Sequence, residues 1–222
     1  MEAKKIIIKS IEKVTHDTLR IVTEKPENFF FEPGQATEVS IDKEGWRDEG
    51  RPFTFTSLPE DNYLEFTIKT YPEKDGTTDK LLDLKAGDKL FVKDIFGAIT
   101  FQGTGTFIAG GAGITPFISI FRKLHKENKL SGNKLFFSNK TSDDIILKEE
   151  LKDYLGSNFI NILSKEKTDD YFYGRIDKAF LKEHVNNLKQ KFYLCGPWDM
   201  VDELQETLQN MGVDKNNIVR EE

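Results

Sequence analysis

The stretch that most constrains the fold is FIAGGAGITPF, residues 107–117. It opens with a short apolar run, Phe107-Ile108-Ala109, of the kind that forms a strand buried on both faces. Gly110, Gly111 and Gly113 follow, then Thr115-Pro116, after which Ile118, Ile120, Phe121 and Leu124 recur at roughly helical spacing. Thr115 is the expected N-cap and Pro116 the expected first helical residue, where its missing N–H is not needed. The unit reads strand, glycine turn, helix N-terminus. That geometry aims unpaired backbone N–H groups and the positive end of a helix dipole at one point, which favours a phosphate. It is not a P-loop, because no Gly-Lys-Ser/Thr follows. Nor is it a standard Rossmann fingerprint, because Pro116 stands where the third glycine belongs. A plain strand-to-helix turn with no ligand fits the same residues, so the rest of the chain has to decide.

At 222 residues the chain is long enough for two domains of ordinary size or one large one. A net charge of −6 argues against a nucleic-acid binder, which needs a basic face. Cys195 is the single cysteine, so an internal disulfide and any four-cysteine zinc or iron–sulfur site are excluded within this chain, and no metal is expected. A reducing compartment fits. The N-terminal MEAKKIIIKS has an apolar run far short of a signal-peptide core. The apolar stretch 107–121 is shorter than the ~20 residues of a membrane span, and glycines interrupt it. These features predict a soluble, cytoplasmic protein, expected to be a monomer.

The halves of the chain differ in rhythm. Residues 5–23 cluster like strands, with Ile6-Ile7-Ile8, Val14 and Leu19-Ile21-Val22. Pro33-Gly34 signals a turn, Gln35–Ile41 reads as a strand, and the charged 43–50 segment as a loop. Phe53–Thr56, Tyr63–Thr70 and Lys89–Lys93 also read as strands, and Thr78–Leu84 as a short helix capped by Thr78. Many short strands with close turns predict a small antiparallel barrel, six-stranded, over 1–101. Past Gly97, strand runs alternate with helical ones: strands at 106–109, 134–138, 159–163, 191–195 and 218–219, helices at 115–127, 145–155, 177–188 and 198–210. Alternation of this kind predicts a parallel sheet with helices on its faces, an α/β domain over 102–222. Gly103-Thr104-Gly105 is the expected linker.

Three further constellations bear on chemistry. In Arg51-Pro52-Phe53-Thr54, Arg offers a planar fork of donors for a phosphate, Phe can stack on a flat heterocycle, and the Thr hydroxyl can bond its edge. Strand alternation puts Arg51 and Phe53 on one face and Thr54 on the other unless the strand bends. A solvated Arg and a core Phe are the plainer alternative. Asp75-Gly76-Thr77-Thr78 places another glycine before a helix start, a second candidate anion site, with Lys69 a few residues upstream. A capped helix that binds nothing fits equally. In Cys195-Gly196-Pro197-Trp198 a strand ends and a helix opens. Ligands of open parallel sheets sit at the carboxyl ends of strands, so Cys195 and Gly110 can face one crevice. A buried apolar cysteine is the plainer alternative.

Taken in order, these motifs resemble the ferredoxin–NADP reductase superfamily, particularly its short flavodoxin-reductase and flavin-reductase-like members. Arg51-Pro52-Phe53-Thr54 resembles that family's Arg-x-Tyr/Phe-Ser/Thr flavin motif. Gly76-Thr77-Thr78 resembles its pyrophosphate region, Gly110 to Pro116 its nicotinamide-dinucleotide loop, and Cys195-Gly196-Pro197 the segment beside the nicotinamide. The resemblance implies a flavin-binding barrel, a nicotinamide-binding α/β domain, and an active site between them. It implies that Phe53 stacks on the isoalloxazine, that Arg51 binds the flavin phosphates, and that Thr54 bonds near the flavin N5. Backbone at Ile68 and Lys69 lines the cofactor, Gly111, Gly113 and Thr115 hold the dinucleotide phosphates, and Cys195 sits against the nicotinamide. The implied cofactors are FAD, with NADP(H) or NAD(H) as donor. The implied chemistry is hydride transfer at about 3–3.5 Å between rings, with the protein supplying position. The acceptor is flavodoxin, ferredoxin or a small molecule such as free flavin. The chain ends Arg220-Glu221-Glu222, without the aromatic residue that relatives often carry there, and Glu221 resembles their acidic residue for proton handling. Ser138-Asn139-Lys140 follows the second strand, where an acidic residue favours the free ribose of NAD. Ser138 and Lys140 instead suit a 2′-phosphate, so NADPH is the expected donor. The competing expectation is a non-catalytic, flavin- or nucleotide-responsive regulatory module of a larger redox complex.

Overall fold

The computed structural model describes residues 3–71 and 76–221. Its first half is a six-stranded antiparallel sheet made of β1 (Lys4–Thr15), β2 (Thr18–Glu24), β3 (Ala36–Ile41), β4 (Arg51–Thr54), β5 (Tyr63–Lys69) and β6 (Lys89–Phe96). The order is β4-β3-β6-β1-β2-β5. Long β1 serves both sides, pairing through Lys4–Ile7 with β6 and from Ile8 onward with β2. Just past β4, Phe55 bridges Phe66 of β5, and the Thr56 N–H donates to the Glu65 carbonyl at 2.8 Å. That contact joins the two outer strands and closes the sheet into a barrel, which removes its open edges. Ile6, Ile8, Ile21, Val39, Phe55, Phe66 and Val92 fill the interior. The short helical segment after β5 is α1 (Thr77–Lys80), followed by a 3-10 turn over Leu81–Asp83.

The second half is a parallel six-stranded sheet of β7 (Gly105–Gly110), β8 (Lys134–Asn139), β9 (Phe159–Leu163), β10 (Phe172–Tyr173), β11 (Lys191–Cys195) and β12 (Ile218–Arg220). Its order is β10-β9-β8-β7-β11-β12. On one face lie α2 (Thr115–Lys126) and α3 (Lys148–Leu155), which bury Phe117, Ile118, Ile120, Phe121, Leu124, Leu151 and Leu155 with the sheet. On the other lie α4 (Lys178–His184) and α5 (Trp198–Asn210), which bury Leu181, Val201, Leu204 and Leu208. Each of these side chains contributes about 1.5–3 kcal/mol. The chain runs outward from β7 through β8, β9 and β10, then returns to place β11 on β7's other side. The strand order therefore reverses between β7 and β11, the position where sheets of this kind open a crevice.

The structure departs from the sequence pattern at several local positions. A 3-10 turn over Gly111–Ile114 runs straight into α2, so Ile114 holds the cap position, Thr115 is already helical and Pro116 comes second. The Thr115 hydroxyl donates back to the Ala112 carbonyl at 3.1 Å instead of capping forward. Likewise Gly76, not Thr78, caps α1, which starts at Thr77. Helix α3 starts at Lys148 instead of 145, because a capping box between Thr141 and Asp144 closes a separate turn and Ile145 and Ile146 plug the core. Helix α4 stops at His184, where Val185 turns extended and buried. Strand β10 went unread because two exposed aromatics carry no alternation. Gly105, expected in the linker, is the first residue of β7. Its neighbours Gln102 and Gly103 are pinned by Tyr193, whose hydroxyl accepts from the Gln102 N–H at 2.8 Å and donates to the Gly103 carbonyl at 2.6 Å.

Candidate active site

Two cavities lie where the barrel meets the carboxyl ends of β7 and β11. The first, about 520 Å³, has a barrel wall of Pro52, Phe53, Thr54 and Ile68, with Thr78 from α1. Its other wall is Thr115, Pro116 and, at the end of the chain, Glu221. The second, about 490 Å³, is floored by Gly110, Gly111 and Gly113, with Ser138 and Lys140 on one side and Gly196 and Pro197 on the other. Lys69, Tyr71, Ala112 and Cys195 line both. The two cavities thus adjoin at a shared waist formed by these four residues.

Arg51, Gly76 and Thr77 border neither cavity. The Arg51 guanidinium is half exposed, donates to the Gly50 carbonyl at 2.8 Å, and lies 3.4 Å from Glu49. The Thr77 hydroxyl is buried and donates to the Glu49 carbonyl at 2.9 Å. Asp75 lies outside the described residues.

Glycine is required at two places in the second cavity. Gly111 has φ +52°, a left-handed conformation that side chains adopt at a cost. At Gly113 a Cβ would fall 2.2 Å from the Cys195 carbonyl oxygen, so the turn packs directly on the end of β11. This close approach brings the start of the Gly111–Ile114 turn to the floor of the cavity, and the first N–H groups of a helix have no partner within the helix itself.

The waist is charged. The Lys69 ammonium lies 2.7 Å from Asp17 and 3.1 Å from Asp144. Burial opposes its charge, but the two carboxylates outweigh that and raise it above the ordinary lysine value. Burial also opposes ionisation of Asp144, yet bonds from Lys69 and Thr141 hold it below the usual carboxylate range. Asp17 sits in the β1–β2 turn and Asp144 beyond β8, so Lys69 ties barrel to α/β half at the waist. Nothing in the local pattern around Asp17 or Asp144 signals this; the partners are 75 residues apart for Lys69 and Asp144. Burial pushes the Cys195 thiol up to about 12, and the nearby Glu221 carboxylate adds to the effect. Partial burial at the lip likewise raises Glu221. Both groups are therefore biased toward their protonated forms.

Residues the sequence reading passed over are Tyr71, Ala112, Asn139, Asp144, Ser164 and Met200, all lining the second cavity. Asn139 stood between two chosen residues, and its position at a strand end was the available signal.

Two family models match the chain. Residues 3–91 match the family model of an FAD-binding domain, and residues 107–206 that of an oxidoreductase NAD-binding domain. The chain is 29% identical over 220 residues to an NADH-cytochrome b5 reductase 2 of Mycosarcoma maydis, covering 88% of this chain and 62% of that protein. It is 28% identical over 215 residues to the reductase component of propane 2-monooxygenase from Mycolicibacterium smegmatis, covering 88% of this chain and 60% of that protein. The chain thus spans about three-fifths of these relatives. A ferredoxin NADP+ reductase from Neisseria gonorrhoeae, solved with bound FAD and NADP, shares the fold at a TM-score of 0.86 and 18% identity, covering 100% of this chain and 98% of that one. Among the described residues, no helix is long and apolar enough to cross a membrane.

Proposed function

The chain belongs to the ferredoxin–NADP reductase superfamily, and from that premise we propose that it is an FAD-dependent oxidoreductase that takes hydride from NAD(P)H and passes electrons to an acceptor. The observation that carries this reading is the shared waist: the Phe53 side and the Gly111 side adjoin at Lys69, Tyr71, Ala112 and Cys195. We place the parting of the two domains near residues 101 and 102, between β6 and β7.

The residues present fit a flavin in the first cavity. Phe53 offers a half-buried ring there, Thr54 a hydroxyl beside it, and Ile68 and Lys69 backbone along the wall. Arg51 sits outside the cavity, where Glu49 and Gly50 hold it among the described residues, and would have to swing to meet the flavin phosphates. When bound, the flavin supplies the redox centre, accepting hydride from a reduced nicotinamide and releasing electrons singly or as a pair. The protein's own part is positional. The Gly111–Ile114 turn holds the diphosphate of the donor, and Gly196 and Pro197 confine its far side. Cys195 packs at the junction as a neutral thiol, without nucleophilic work. Glu221 stands at the lip of the first cavity, where partial desolvation raises its carboxyl above the ordinary glutamate value.

For the donor we propose NADPH, because Ser138 and Lys140 line the second cavity where a 2′-phosphate needs partners. The cytochrome b5 reductases it resembles are named for NADH, so kcat/KM for the two donors decides. For the acceptor we propose a small electron carrier, flavodoxin, ferredoxin or free flavin, met by a monomer. Purified protein should be yellow and should bleach anaerobically with NADPH or NADH. A colourless protein that takes up neither FAD nor FMN overturns the proposal. Flavin binding without turnover on an artificial acceptor would leave a regulatory module instead.

A further inference from the structure

Asn139 is the last residue of β8 and is 5% exposed. Among the described residues, neither its Nδ2 nor its Oδ1 has a hydrogen-bond partner. The other buried side-chain atoms in that condition belong to Ser40, Asn161 and Thr168, which line neither cavity, whereas Asn139 lines the second. A buried amide with nothing to bond weakens a fold, so an orphan of this kind calls for a reason. Strand alternation puts Asn139 on the same face as Leu135 and Phe137, the face covered by α2. An apolar side chain there would extend that core at no electrostatic cost. The site instead keeps an amide at the level where the Gly111–Ile114 turn begins α2.

The amide's chemistry narrows what it can hold. The floor of this cavity presents backbone N–H groups and is flanked by Lys140, an arrangement for an anion. A carboxylate in the place of Asn139 would repel that anion. An amide does not, and it carries one donor group and one acceptor. Phosphate oxygens only accept at neutral pH, so Nδ2 suits them and Oδ1 does not. Oδ1 needs a donor beside the phosphate, which a sugar hydroxyl supplies.

We propose that Asn139 is a ligand-binding residue that grips the junction between diphosphate and ribose in the nicotinamide dinucleotide, Nδ2 donating to a phosphate oxygen and Oδ1 accepting from a ribose hydroxyl. This rests on the reading of the second cavity as the dinucleotide site. Its two polar atoms are unpartnered in the free protein because their partners arrive with the ligand.

The test uses the full chain and ADP-ribose, which carries diphosphate and ribose without the nicotinamide. Titration calorimetry gives the Kd, and thermal unfolding without ligand gives the Tm, for the parent, Asn139→Leu and Asn139→Asp. The expected result for Asn139→Leu is a Tm equal to or above the parent's, with ADP-ribose bound at least about tenfold more weakly, the size of one lost hydrogen bond. Asn139→Asp, of the same shape, should lose at least as much, and it decides the matter if the leucine variant does not fold. Binding within twofold of the parent in the folded variants overturns the inference. So does a drop in Tm for Asn139→Leu, since that marks the amide as structural. If the parent itself ignores ADP-ribose, the dinucleotide reading of the cavity has failed and this inference with it. Parent binding with unaffected variants removes Asn139 alone.

Discussion

Single residues around the cleft make separable predictions. Arg51 is half exposed and, among the described residues, tied to its neighbours Gly50 and Glu49, so Arg51→Ala should change unfolding free energy by less than about 0.5 kcal/mol. Flavin retention through gel filtration should fall clearly. Equal loss of both would remove Arg51 from flavin binding. The two glycines of the turn should respond differently. Gly111 is left-handed, but a methyl added there would meet nothing within 4 Å, so Gly111→Ala should cost about 1 to 2 kcal/mol from backbone strain alone. Gly113→Ala drives a methyl into the Cys195 carbonyl and should cost about 3 kcal/mol, with loss of dinucleotide binding. Urea unfolding of both variants checks the order. Burial holds the Cys195 thiol at about 12. Iodoacetamide at pH 8 should therefore label the native protein far more slowly than the urea-unfolded chain, as read by intact mass. Of these residue-level features, the sequence exposes the glycines and the cysteine through turn chemistry. It cannot show that Arg51 leans on Glu49 away from the cavity, because a strand pattern fixes a face and not a side-chain direction.

At the scale of elements, α2 is the part that joins the halves. Its Ser119 hydroxyl accepts from the Gly34 N–H at 2.9 Å, and its Arg122 reaches the outer wall of the barrel. There the guanidinium donates to the Thr56 carbonyl at 2.8 Å and pairs with the buried Glu65 of β5, while Glu150 of α3 bonds its other edge at 2.6 and 2.9 Å. Burial pushes the Glu65 carboxyl up, but Arg122, by charge and hydrogen bond, and then Arg20 outweigh it and hold it below the usual range. Since its folded pKa lies below its unfolded one, Glu65 adds stability above the ordinary glutamate pKa, and this is lost as pH falls through the folded value. Arg122→Ala leaves that carboxylate paired with Arg20 among the described residues and should cost about 3 kcal/mol at pH 7. The onset of acid unfolding should also move to higher pH, followed by circular dichroism. An unchanged acid profile would remove Arg122 as the controlling partner. The helical pattern of α2 marks its apolar stripe clearly. It does not mark Arg122, whose partner lies 57 residues away and is fixed only when β5 meets the helix.

For the molecule as a whole, the ties between halves are spread along the interface. Ser119 to Gly34 and Arg122 to Glu65 lie at one end, and Lys69 to Asp144 lies at the waist of the cleft. Tyr193 meanwhile stacks on Phe107 with centroids 4.1 Å apart and anchors the connecting segment through its hydroxyl. Two halves so tied should unfold together. Calorimetry should give one transition with calorimetric and van't Hoff enthalpies in agreement, and two resolved transitions would show that the interface contributes little.

The antiparallel strands of the first half, the parallel alternation of the second and the glycine turn that opens α2 are all legible in the order of residues. Each follows from spacing of apolar residues and from backbone preferences, which act over a few neighbours and are written in the local order of the chain. Only the tertiary structure decided that Phe55 closes the barrel on Phe66, that Lys69 joins Asp17 and Asp144 at the waist, and that the amide of Asn139 is left unbonded at the cavity floor. Those facts depend on which strands lie side by side and which side chains then meet. That is a property of packing in three dimensions, and no periodicity along the chain encodes it.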